Sequence, residues 1–231
     1  MTGTIEHLLA AAVLFVVSHV ALSAGPIRRP AVRMVGEWPF RGLYSTIALL
    51  IFVWMIMAFR DAPAVVLWTV PTALRHMPIG LMPFVSILLV AGYTTPNPTA
   101  VGMEGKPIAE RGPVGILKVT RHPILWTFAL WAILHMLASG DAARLILFGA
   151  IAVLSIAGAL HLDARKQEAL GPAWTAYKNA TSNVPFAALL AGRTRFSFAE
   201  IGWRRIALGL ALYAALQLLH RPVLGLSPLP L

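Results

Sequence analysis

The stretch ARLILFGAIAVLSIAGAL, residues 143–160, decides the fold. It carries one charge, Arg144, over 18 residues, and as a helix it runs about 27 Å, close to the depth of a bilayer's hydrocarbon core. Its Gly and Ala positions, with Ser155, allow close helix approach without implying chemistry. Working outward, runs of similar character lie at 5–24, 43–59, 77–93, 122–137 and 201–219. The sequence therefore predicts an all-α, polytopic membrane bundle of about six transmembrane helices. Residues 62–74 form a shorter apolar piece bracketed by Pro63 and Pro71; at about 20 Å it reads as interfacial or re-entrant.

Composition agrees. Of 231 residues 58% are hydrophobic and 12% charged, about half the charge of a soluble domain, and the mean hydropathy is +0.74. An ordinary water-soluble domain is excluded. The absence of cysteine excludes disulfides, iron–sulfur clusters and thiolate-ligated or covalently attached haem, which leaves histidine as the strong ligand for a transition metal. There are seven.

The 19 Lys and Arg residues set the expected orientation. All but Arg60, Arg75, Arg144 and Arg221 fall in three alternate loops, which places those loops in the cytoplasm and both termini on the other side. A seventh span at 62–74 would scramble this partition. The net charge of +10 then points to anionic lipid at the cytoplasmic face, and nucleic acid is not an expected partner. No Lys or Arg precedes the first apolar run, so it reads as a retained span of a cytoplasmic-membrane protein. Residues 1–222 read as one transmembrane domain and 223–231 as a C-terminal tail.

Histidines within the spans are the candidate functional groups. His19 lies near the cytoplasmic end of the first span, His122 and His135 bracket the fourth, and His161 ends the fifth just before Asp163. His7, His76 and His220 read as interfacial polar residues. Thr120-Arg121-His122-Pro123 opens the fourth helix with a capping threonine and a first-turn proline. Free N–H groups, the positive helix end and Arg121 converge there as an anion site, against the plainer reading of a positive-inside anchor. Phe128, Trp131 and His135 recur at helical spacing and form either bundle packing or the wall of a planar cofactor. His122 and His135 stand about 20 Å apart along one helix and cannot share an iron; by depth, His19, His122 and His161 make the best cluster. The charged stretch 161–168 reads most simply as a solvated helix extension; Asp163 and Glu168 could orient an imidazole or a cation, but solvation is the preferred role.

The strings at 96–102 (PNPTAVG), 120–123 (TRHP), 130–135 (LWAILH), 139–141 (SGD) and 185–188 (PFAA), with Gly192-Arg193 and Ser18-His19, resemble the NnrU family of bacterial inner-membrane proteins over nearly the whole chain. That resemblance implies haem b and a redox-linked role in nitrite and nitric oxide metabolism. Through the family's plant and cyanobacterial relatives, it implies instead isomerisation of a polyene such as a carotenoid. It makes His19 and His135 the metal ligands; the depth estimate keeps His122 and His161 as alternates, and Arg121, His122, Trp131 and His161 are the cofactor-binding candidates, Arg121 as partner of a haem propionate. The relatives carry a cysteine three residues before the second ligand, where this chain has Ala132. A second resemblance is to membrane methyltransferases of the isoprenylcysteine type, through Arg121-His122-Pro123 and the later Gly171, Trp174, Tyr177 and Pro185. It implies S-adenosylmethionine, but Arg165-Lys166 stand where an acidic pair belongs. A third expectation is a non-enzymatic assembly or regulatory factor for a respiratory complex.

Overall fold

The computed structural model describes residues 3–100, 103 and 109–227. Val101 and Gly102 of the 96–102 string, Lys106 of the second basic loop and the tail from Pro228 lie outside them. The fold is all-helical, at 76% helix. Five helices among the described residues are long and apolar enough to cross a membrane: α1 (Ile5–Ser23), α3 (Glu37–Asp61), α4 (Thr72–Thr94), α6 (Ala142–Leu170) and α9 (Trp203–Leu224). The sixth expected span is α5 (Pro123–Leu137), at 15 residues and about 22 Å a shorter apolar helix. The outward faces identify the solvent. In α3 only 11% of the most apolar window is buried and in α9 only 6%, so apolar side chains face outward along most of their length, as lipid requires and water does not tolerate.

Residues 62–71 form no helix. Gly140 explains where they go: its carbonyl accepts from the Leu67 amide at 2.7 Å, the Ala142 amide donates to Val65 at 2.9 Å, and Val66 pairs with Asp141 as an isolated antiparallel bridge. The segment's backbone is thereby satisfied against the 139–142 turn and not by crossing a bilayer.

The chain divides into two compact units. The first holds α1, α2 (Gly25–Val35), α3, the end of α5 and the first half of α6. Thr4 caps α1 by accepting from the His7 amide at 3.1 Å, and Glu6 suits the positive end of the helix. Leu8, Ala11, Ala12 and Phe15, at helical spacing, are its buried stripe. They pack with Met55 and Ala58 of α3 and with Ala143, Leu147 and Ala150 of α6. Gly36, at φ +88, turns the chain from α2 into α3.

The second unit holds α4, the start of α5, the rest of α6, α7 (Pro172–Ala180), the single turn α8 (Ala187–Leu190) and α9. Here α4 and α9 approach backbone to backbone: a Cβ on Gly209 would lie 2.6 Å from the Ile87 Cα. Leu88 and Ala91 of α4 pack on Ile116, Leu117 and Val119 of the loop before α5 and on Ile201. On α7, Trp174 and Tyr177 are buried and stack at 5.2 Å between ring centroids.

Candidate functional site

In the first unit the ligand expected on α1 is the last member of its inward stripe. His19 follows Phe15 by four residues, and its Nδ1–H donates to the Phe15 carbonyl at 2.7 Å. A carbonyl accepts only, so the proton sits on Nδ1 and the Nε2 lone pair is left outward from that bond. The half-buried ring is held edge-on by Phe15 (4.4 Å between centroids) and by Tyr44 of α3 (5.7 Å). His135 is half-buried near the end of α5, its ring stacked on Phe148 of α6 at 4.7 Å. At about 100° per residue, Phe148 lies well around α6 from the Ala143, Leu147 and Ala150 face that packs on α1. The same unit holds an apolar groove of about 360 Å³ between α1 and α6, lined by Ala12, Val13, Val16, Gly149, Ala150 and Val153 among others.

The second unit holds a polar centre. Arg121 and Asp163 are 7% and 8% exposed, His122 1%. The Arg121 guanidinium grips the Asp163 carboxylate through Nε (2.8 Å) and Nη2 (2.5 Å), and His122 Nε2–H donates to the same carboxylate at 2.9 Å. The Asn183 amide reaches it at 3.4 Å while its Oδ1 accepts from Trp126 Nε1. Thr120 Oγ1 accepts from the His122 amide at 3.2 Å and donates to the Asn183 carbonyl. The anion site expected at the start of α5 therefore receives a carboxylate from the chain itself. This corrects the reading of 161–168 as a solvated extension: α6 does continue to Leu170, but Asp163 turns inward, where burial requires partners for its charge. Four buried side-chain atoms of this unit have no partner among the described residues: His122 Nδ1, Asn97 Nδ2, Trp174 Nε1 and Tyr177 Oη. Burial also pushes the Tyr177 phenol up from its ordinary pKa.

The other expected site residues are dispersed. Trp131 is half-buried on α5 and His161 half-buried on α6. His161 precedes Asp163 by two residues, so it leaves the helix about 200° away from the polar centre. No three His, Asp or Glu side chains gather as a metal site among the described residues.

A family model described as NnrU protein matches residues 7–228. The chain belongs to the NnrU family. This NnrU-family chain is similar to the chloroplastic 15-cis-zeta-carotene isomerase of Zea mays, at 27% identity over 187 residues, covering 79% of this chain and 50% of the relative. It is similar also to that of Arabidopsis thaliana, at 28% over 185 residues, covering 78% and 49%. The chain thus spans about half the length of the curated relatives it matches. No solved structure matches it.

Proposed function

We propose that this NnrU-family membrane protein isomerises a cis double bond in a lipophilic polyene, with haem b bound through His19. The observation that carries the reading is the similarity to 15-cis-zeta-carotene isomerases over 79% of the chain; the state of His19 supports the cofactor. Haem iron, when bound, supplies a redox-active Lewis-acid centre within an apolar site. In the first unit His19 is the donor whose surroundings suit it. The Phe15 carbonyl fixes the His19 tautomer and leaves Nε2 for a ligand bond, Phe15 and Tyr44 hold the ring plane, and His135 is the proposed second ligand. The groove between α1 and α6 matches an acyl- or polyene-like chain: its walls are aliphatic and widened where Gly149 and Ala12 lack bulk. Isomerisation changes no atom count, so the walls need only orient the chain and keep water out.

This reading does not assign Arg121 a propionate, because its Nε and Nη2 are committed to Asp163. A role in nitrite and nitric oxide metabolism would use the same haem as an electron carrier in the bacterial cytoplasmic membrane. The test is chromatography of a 15-cis polyene incubated in the dark with the full chain, purified from haem-supplemented cells and embedded in lipid. The expected result is conversion to the trans isomer by the wild type and at least about tenfold slower conversion by His19→Ala, the loss of one important catalytic interaction. Unchanged turnover in His19→Ala, or no turnover by the wild type, would contradict the reading.

A further inference from the structure

We infer that α2 is a membrane-surface helix that seats on anionic phospholipid, independently of the isomerase reading. It joins two helices that are each long and apolar enough to span, α1 ending at Ser23 and α3 starting at Glu37. An 11-residue connector between two spans starts and ends at the same face of the bilayer. Its composition is amphipathic at the helical period. Ile27, Ala31 and Met34 share one side, while Arg29 and Arg33 lie opposite, at about 100° per residue. No residue of α2 is buried, and the apolar side is open to whatever surrounds the protein: Ile27 is 47% exposed, Met34 85% and the neighbouring Trp38 75%. The third flank anchors the helix. Arg28 pairs with Glu37 and lies 5.8 Å from the centre of the Phe40 ring, while Arg41 holds Glu37 from the other side at 2.7 Å.

The apolar stripe and the arginine stripe thus lie on opposite sides of a helix held at the membrane boundary. The occupant that complements both is a leaflet rich in phosphate headgroups, with acyl chains taking Ile27 and Met34 and phosphates taking Arg29 and Arg33. Trp38 suits the same depth, where an amphipathic indole settles at the headgroup level. A protein partner would also cover the apolar stripe, and the test separates the two.

The chain has no cysteine, so Met34→Cys and Arg33→Cys each give a single attachment point for a polarity-sensitive fluorophore on a helix that contributes nothing to the core. The labelled full-length proteins are reconstituted in vesicles of phosphatidylcholine with phosphatidylglycerol. The Met34 label is expected to be quenched by lipids carrying a spin label on the acyl chain and shielded from aqueous iodide, and the Arg33 label to show the reverse. Spin-labelled phosphatidylglycerol is expected to quench the Met34 label about twofold more than spin-labelled phosphatidylcholine, and the difference to vanish in Arg29→Gln with Arg33→Gln. Equal iodide access at both positions overturns the proposal, as does a Met34 label shielded from iodide yet untouched by the lipid quencher, which would mean a protein partner. Equal quenching by the two lipids with the arginines in place overturns the anionic preference.

Discussion

Asp163 holds Arg121 and His122 at once, and the three side chains are nearly excluded from water. Removing the carboxylate strands a buried guanidinium and an imidazole, so Asp163→Asn is expected to cost about 3–5 kcal/mol, as for other broken buried pairs. The check is a lowered thermal midpoint in detergent, with Asp163→Asn plus Arg121→Gln less damaging than the sum of the single changes. Lys118 and Glu200 make a more exposed pair at 2.7 Å. The Lys118 ammonium, helped by the Gly115 amide, holds the Glu200 carboxyl below its usual range. A depressed carboxylate stabilises the fold above the unfolded pKa and loses that contribution as pH falls through the folded one. Glu200→Gln is therefore expected to lower stability at pH 7 and to make progressively less difference as pH falls below the usual glutamate range, measured by denaturant titration across that range. The sequence showed Arg121 and His122 as candidates because a TRHP string at a helix start has a mechanical reading of its own. It allowed Asp163 or Glu168 to orient an imidazole or a cation but preferred solvation for both, and the partners lie 41 and 42 residues away: in a run of mixed charges, nothing local tells the inward residue from its solvated neighbours. A count from Ser155 and Ala159, both buried on α6, was the available signal, since Asp163 continues that row at i+4.

The elements themselves were legible wherever apolar length alone decided them. The runs at 5–24, 43–59, 77–93, 143–160 and 201–219 became α1, α3, α4, α6 and α9, with helix ends reaching past the apolar part because polar residues continue the hydrogen-bond ladder into the interface. The connector α2 was not foreseen, since two prolines and three arginines in 11 residues read as a loop; Pro26 falls in the first turn, where its missing donor is harmless. Close approaches were equally invisible, because they depend on which glycine faces which backbone. Gly209 is the sharpest case. Gly209→Val places carbon atoms inside the Ile87 backbone, and overpacking of this kind costs about 1–3 kcal/mol or more. The expected readout is faster proteolysis of α9 with α1 and α3 unaffected, and Gly42→Val, which meets open space, serves as the control.

For the whole molecule, the six-span orientation is a prediction that the missing cysteines make easy to test. With both termini outside, a membrane-impermeant maleimide should label Arg144→Cys from outside intact cells and Lys178→Cys only after lysis; the reverse pattern would invert the topology. The proposed haem site rests on His19, with its proton committed to the Phe15 carbonyl and its Nε2 turned from that bond. The most direct measurement is the absorption spectrum of the full chain purified from haem-supplemented cells, in the wild type, His19→Ala and Asp163→Asn. The expected result is a Soret band in the wild type that is lost in His19→Ala and kept, at lower thermal stability, in Asp163→Asn. A folded wild-type protein without a Soret band, or a band unchanged in His19→Ala, would contradict it.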